Sequence, residues 1–208
     1  AGTCICGRSL APFVKNVTCL DMTTSMLAIG KDEAEKQRLW NIDFVQGDAE
    51  KLPFSDSSFD IVISRLAFHH FSDPKRCFSE MARVLKTSGK LVIIDMEAAE
   101  ELLRSTEDEI ETLRDPSHVC NLSKKEFTEM FRDHHLTITT IDCTEIPVSL
   151  SAWLALTNTS AAVSDDIRKR LTDEIKGNGL TGFKPYQKNR KIYFNQRWVM
   201  MIGKKESQ

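Results

Sequence analysis

Asp21 and Asp48 are the residues whose type and placement most directly suggest ligand chemistry, because each follows a short apolar or β-branched run. A carboxylate at the end of a strand accepts through both oxygens and so matches the paired hydroxyls of a ribose, which is the reading at Asp21. Asp48 stands in Gly47-Asp-Ala-Glu50. There it can accept from the exocyclic amine of an adenine while the Ala49 amide donates to the neighbouring ring nitrogen. Singly, an aspartate at a strand end is a turn former or a helix cap. Two of them on successive strands point to a nucleoside.

The histidines suggest proton transfer. His69 and His70 follow a third strand, on the rim where a substrate would arrive, and a neutral imidazole there can take a proton as a bond forms. His70 is the better candidate, against the alternative that both cap or pack the next helix. His118, in Asp115-Pro-Ser-His118 with Arg114 beside it, can belong to a loop that covers a substrate and excludes water, or can simply stabilise that loop. His134 and His135 sit among charged residues and read as a solvated turn. Trp153, Phe183, Tyr186 and Tyr193 read as core, with an apolar pocket as the alternative. Cys4, Cys6, Cys19, Cys77, Cys120 and Cys143 show no repeated pair spacing, so no metal is expected.

The elements that must position these groups alternate. Strands are expected at Asn16–Leu20, Ile42–Gln46, Phe59–Ile63 and Lys90–Asp95. The third is expected to be buried on both faces. A helix capped by Thr23 or Thr24 runs to about Leu39, and another begins at Asp73-Pro74 and stops near Ser88-Gly89. This βαβ rhythm predicts an α/β fold with a mostly parallel sheet. Charged helical segments follow at Glu100–Leu113 and Lys124–Phe131. Leu136–Ile146 and Lys191–Ile202 then form an antiparallel pair, with helical pieces around Trp153 and at Asp165–Lys176 between them. The residues after Ile202 read as a frayed tail.

Bulk properties narrow the class. The 208 residues suit a single domain, 1–208, with a cofactor-binding half (1–96), a helical insertion or lid (97–135) and C-terminal strands and helices (136–208). Twenty-eight Lys and Arg against thirty Asp and Glu leave a formal charge of -2, which offers no footprint for nucleic acid or an anionic membrane. No apolar run approaches the ~20 residues of a membrane span. A reduced, cytoplasmic setting is expected from the unpatterned cysteines. The oligomeric state is not legible.

Val17-Thr-Cys-Leu-Asp-Met-Thr-Thr-Ser-Met26, Phe44-Val-Gln-Gly-Asp-Ala-Glu-Lys-Leu-Pro-Phe54, Ser58-Phe-Asp-Ile-Val62, and Arg83-Val-Leu-Lys86 with Gly89-Lys-Leu-Val92 resemble consecutive motifs of class I S-adenosylmethionine-dependent methyltransferases. The nearest flavour is the ubiquinone and menaquinone biosynthesis group, including uncharacterised bacterial members with a similar His-His-Phe-Ser-Asp segment. The resemblance covers nearly the whole chain. It implies a Rossmann-like methyltransferase fold with an antiparallel C-terminal hairpin, S-adenosyl-L-methionine as cofactor and a small-molecule methyl acceptor. It further implies that Asp21 holds the ribose, Met22 packs on the adenine, Asp48 and Ala49 read its edge, and Gly2 and Thr3 line the methionine end. Arg65 and Leu66 would face the sulfonium and the substrate opening.

The sequence departs from that pattern in two ways. Ala1-Gly-Thr-Cys4 stands inside the family's first glycine loop, so the fold is expected to lack the first strand and to leave unpaired edges on the strands beside it. Cys4 and Cys19 replace glycines, and a side chain at position 4 is expected to crowd the loop. These departures motivate the alternative of a catalytically impaired or non-catalytic binding protein that retains the fold. A nicotinamide-dependent oxidoreductase shares the acidic ribose position, but Gly-Asp-Ala and the terminal antiparallel pair point away from it.

Overall fold

The computed structural model describes residues 1–206. In chain order, α1 (Ile5–Leu10) leads into β1 (Val17–Asp21), α2 (Thr24–Lys36) and β2 (Ile42–Gln46). β3 (Phe59–Arg65), α3 (Pro74–Val84) and β4 (Leu85–Met96) complete the first half. α4 (Glu101–Arg114) and α5 (Lys124–Asp133) precede β5 (Leu136–Ser149), α6 (Leu150–Leu156), α7 (Ala161–Ile175), β6 (Tyr186–Lys188) and β7 (Lys191–Lys205).

The strands form two sheets. β1 and β2 pair in parallel, with Asp21 opposite Gln46. The larger sheet runs β3-β4-β7-β5, with β6 paired to β7. β3 and β4 are parallel, whereas the β4-β7, β5-β7 and β6-β7 pairings are antiparallel. The expectation of a mostly parallel sheet is thus corrected, because β7 enters beside β4 in the opposite sense and recruits two further antiparallel partners. The expected pairing of the two late β-rich stretches is present and longer, from Leu136↔Lys205 to Ser149↔Tyr193. β7 also absorbs Gly203–Lys205, which read as tail; residues 207–208 of that segment lie outside the described residues.

β1 pairs only with β2, and β3 only with β4, among the described residues. Their other edges are open, as the sequence led us to expect. β3 is also not buried on both faces, a correction to the sequence reading: Ile61 is 47% exposed where a covered strand would hide it.

Local chemistry fixes the helix starts. Asp73 accepts from the Arg76 amide at 2.9 Å and Pro74 occupies the first turn of α3. α3 ends earlier than expected, at Val84, because the chain from Leu85 already extends along the sheet. Ser123 and Glu126 form a reciprocal capping box on α5.

Three apolar clusters hold the layers. Phe68, Phe78, Leu85, Leu91, Phe127 and Phe131 pack α3 and α5 onto the larger sheet. Ile110, Trp153, Ile167, Leu171, Phe183 and Phe194 join α4, α6 and α7 to β7. Full burial of each such side chain contributes about 1.5–3 kcal/mol. Trp153 and Phe183 are therefore core, as expected, while Tyr186 and Tyr193 stack on each other along the β6-β7 pair. The third cluster, Cys4, Cys19 and Leu27, ties the N-terminal turn to β1 and α2.

Candidate active site

Asp21 closes β1 with its side chain 21% exposed. One oxygen accepts from the Thr23 amide at 2.8 Å; the other accepts from the Gly2 amide at 2.6 Å and the Ala1 ammonium at 2.7 Å. The group is therefore an ionised acceptor that already gathers donors. Met22, beside it, is 68% exposed. Gly2 has φ +55°, with open space where a Cβ would stand. Cys4 is fully buried with Cys19 and Leu27, and its sulfur lies where a Cβ on Gly30 would be 3.0 Å away. Its side chain therefore points toward α2, while its sulfur also lies 3.7 Å from the Gly2 carbonyl of the loop and its backbone takes φ +58°, a left-handed conformation that favours glycine. Thr3 is half-buried, and its carbonyl accepts from Arg8 Nε at 3.4 Å.

Asp48 is exposed two residues beyond β2 and accepts from the Glu50 amide at 2.9 Å, which shapes the turn that presents Ala49. The loop after it is clamped by Arg83, whose guanidinium donates to the Leu52 carbonyl at 3.0 Å and the Phe54 carbonyl at 2.8 Å. Asp21 and Asp48 thus stand at the carboxyl ends of adjacent parallel strands, where ligands gather in open α/β sheets. An ionised acceptor, an exposed thioether and an open glycine turn fit a nucleoside-bearing cofactor such as S-adenosylmethionine.

At the end of the larger sheet, Arg65 is exposed, with its guanidinium over the Trp198 ring at 5.4 Å. Leu66 has φ +49°, held there by its amide donating to the Ile94 carbonyl at 2.8 Å. The sequence reading missed the residue that organises this corner. Asp95, only 1% exposed, accepts from the Ala67 and Phe68 amides at 2.9 Å each through one oxygen. The other oxygen takes the Met96 amide at 2.9 Å and His69 Nδ1 at 2.6 Å. Its signal was present, since it too ends an apolar strand, Leu91-Val-Ile-Ile-Asp95.

The histidines converge. His69 is buried, with its ring centroid 4.2 Å from that of His70 and 5.8 Å from that of His118. With Nδ1 bonded to Asp95, its Nε2 is the nitrogen left to accept a proton. His70 Nδ1 faces the Ser117 carbonyl at 2.9 Å, so it too carries the proton on Nδ1 and leaves Nε2 as acceptor. Burial, together with His69, lowers the His70 pKa, against the opposing Ser117 carbonyl and Asp115. His118 is buried, with Nε2 2.8 Å from Asp108. Arg114 lies over the Trp153 ring at 4.5 Å and beside Glu111, so it braces α4. His134 and His135 stand apart: His134 Nδ1 bonds the Met130 carbonyl, and His135 has φ +55° in the turn before β5. No group of three or more His, Cys, Asp or Glu among the described residues is arranged to hold a metal.

Parallel strands ending in carboxylates, continued by an antiparallel β7, define a Rossmann-like methyltransferase fold. The methyltransferase-domain family matches residues 1–93. The uncharacterized methyltransferase YcgJ of Bacillus subtilis is 36% identical over 154 residues, 74% of this chain and 61% of that relative. The uncharacterized protein YafE of Escherichia coli is 35% identical over 156 residues, 74% of this chain and 75% of YafE. A demethylmenaquinone methyltransferase of Renibacterium salmoninarum is 40% identical over 98 residues, 46% of this chain and 38% of its own length. The crystal structure of YcgJ superposes with a TM-score of 0.90 at 31% identity, covering 100% of this chain and 90% of that one. The chain belongs to the class I S-adenosylmethionine-dependent methyltransferase family. It spans about three fifths (61%) of the YcgJ relative's length. No helix among the described residues is long and apolar enough to cross a membrane.

Proposed function

We propose that the chain binds S-adenosyl-L-methionine over the carboxyl ends of β1 and β2 and methylates a small molecule held near His69 and His70. The observation that carries this reading is the pair Asp21 and Asp48 on adjacent in-register strands. Asp21 would hold the ribose, Met22 the adenine face, Asp48 and Ala49 its edge, and Gly2 and Thr3 the methionine end. Arg65 and Leu66 would border the opening to the acceptor. When bound, the cofactor supplies an electrophilic methyl on a positively charged sulfur. The chain's task is then to align the acceptor and remove its proton. Asp95 fixes the His69 ring so that Nε2 can receive that proton, and His70, kept neutral by burial and its neighbour, is the more exposed alternative. Arg114 and His118 would act by holding α4 and its following loop over the acceptor.

Calorimetry with S-adenosylhomocysteine tests the cofactor half. Asp21→Ala removes a charged acceptor worth about 1.5–3 kcal/mol, so affinity should fall about 10- to 100-fold. No binding by the unaltered chain would remove the reading. One observation favours a second reading, a binding protein that keeps the fold without turnover: β1 and β3 share no ladder, so the floor beneath the cofactor is not continuous. Transfer of labelled methyl to any acceptor in a broad small-molecule screen would eliminate it.

A further inference from the structure

The cysteines are chemistry that the proposed function leaves unused. All six are free among the described residues, and three of them, Cys4, Cys6 and Cys19, lie around the first turn of α1. Cys4 and Cys19 are buried in one apolar cluster with Leu27. Glycine backbone makes the room for both sulfurs: a Cβ on Gly7 would stand 2.4 Å from the Cys19 sulfur, and a Cβ on Gly30 would stand 3.0 Å from the Cys4 sulfur. Gly7 is three residues along the chain from Cys4, the N-cap of α1, so Cys19 points at the turn of helix that Cys4 begins. The two thiols also act on each other's proton. Their contact is the largest cause of a lowered pKa at Cys4 and of a raised one at Cys19. These are the two cysteines that replace glycines of the family pattern, and the fold brings both departures together.

Cys4 belongs to the turn that meets Asp21. Its amide donates to the Ala1 carbonyl at 2.9 Å, and the intervening Gly2 amide donates to the Asp21 carboxylate at 2.6 Å. Cys19 lies two residues before Asp21 on β1. A covalent bond between the sulfurs has to bring them to about 2.05 Å, so it moves that turn relative to the strand end. Access for a small oxidant comes through α1 itself, which is six residues long and has none of them buried, so its local opening costs little. The alternative, that both thiols are inert apolar filling, predicts no reaction.

We propose that Cys4 and Cys19 are an oxidation site, closed to a disulfide by a hydroperoxide, and that closure shifts the turn of residues 1–4 against Asp21. The Cys4 sulfur gives up its proton and attacks one peroxide oxygen; the O–O bond breaks, the departing oxygen takes the proton, and Cys4 becomes a sulfenic acid. The Cys19 sulfur then attacks the Cys4 sulfur, the S–O bond breaks, and water leaves with the Cys19 proton. The two thiols lose two electrons and the peroxide gains them. This thiol chemistry stands apart from the methyltransferase reading; only its effect on cofactor binding rests on that reading. In the test, the reduced chain is treated with hydrogen peroxide, its remaining thiols are alkylated, and its peptides are mapped without reductant. Linked Cys4 and Cys19 peptides should be the main product and should disappear on addition of dithiothreitol. The Gly2 amide resonance should move on oxidation. Calorimetric affinity for S-adenosylhomocysteine should fall at least about fivefold and recover on reduction. In Cys4→Gly, peroxide should change that affinity by less than about twofold. Cys4 and Cys19 both remaining open to alkylation overturns the proposal, as does linkage of either one to Cys6 or Cys143. So does a linked pair that leaves the Gly2 resonance and the affinity unchanged. Should Cys4→Gly fail to fold, the peptide map and the affinity of the unaltered chain decide. Failure of the reduced chain to bind S-adenosylhomocysteine removes the methyltransferase reading instead, and the peptide map and the Gly2 resonance then decide the disulfide.

Discussion

Replacing Asp95 by asparagine should be among the more damaging conservative changes in this chain. The carboxylate accepts four hydrogen bonds, from the Ala67, Phe68 and Met96 amides and from His69 Nδ1. An asparagine keeps one oxygen and replaces the other by an amide group that cannot accept. Whichever way it turns, two buried donors lose their partner: Ala67 and Phe68, or Met96 and His69. A hydrogen bond to a charged group contributes about 1.5–3 kcal/mol, so losing two predicts a destabilisation of about 3–5 kcal/mol. That is a large share of the ~5–15 kcal/mol that holds an ordinary domain together. Urea unfolding with an unchanged slope on denaturant is the appropriate measurement. The His69→Gln, Asp95→Asn double mutant should show coupling of about 0.5–3 kcal/mol, because the two side chains share one bond. A loss below about 1 kcal/mol with no coupling would refute the assignment of Asp95 as the organiser of this corner.

Gly203→Ala places a Cβ 2.4 Å from a ring carbon of the fully buried Phe131, so it should cost about 1–3 kcal/mol in the same unfolding assay. Iodoacetamide followed by peptide mass analysis should modify exposed Cys143 well before buried Cys77, whose thiol is pushed up to about 12 by burial and nearby carboxylates. His70 has a folded pKa below its ordinary 6.5, so its contribution to stability is complete above 6.5 and is lost as pH falls toward the folded value. Denaturation midpoints across pH 5 to 7 should therefore drop less steeply on the acid side in His70→Gln. Glu111 has the opposite sign. Burial raises its carboxyl above the ordinary 4.5 against Arg114 and His118, so its contribution is present below 4.5 and is lost as pH rises through the folded value, a dependence that Glu111→Gln should remove.

Much of the candidate nucleoside site, as a placement of residues, was legible because it is local. Asp21 and Asp48 are read from the apolar runs that precede them, and the parallel register of β1 and β2 then brings those ends side by side. The Asp73-Pro74 helix start was legible for the same reason, as a cap and its proline are neighbours in sequence. The burial of Glu111 and Asn121 was not. Glu111 and Asn121 look like surface residues of a charged helix and a loop, and only the packing of α4 against β7 turns them inward. Sheet direction was misjudged on the same ground, since β7 joins β4 from more than ninety residues away.

Asp95 belongs to an intermediate case, and it connects the two halves of the site. Its position at the end of β4 repeats the pattern that singled out Asp21, yet the two carboxylates do opposite work. The Asp21 side chain remains 21% exposed, and its oxygen toward Thr23 accepts a single bond, so an additional donor such as a ribose hydroxyl has an acceptor site to reach. Asp95 is buried and spends all its acceptor capacity on the turn that carries His69, so it can act on chemistry only through that ring. A strand-end carboxylate is thus a candidate ligand group or a positioning group according to how deeply it is buried and how fully its acceptor sites are taken. Here the protein supplies the donors at β4 through the Phe68–His70 turn, so under the proposed function the histidine face, rather than Asp95 itself, would meet the acceptor.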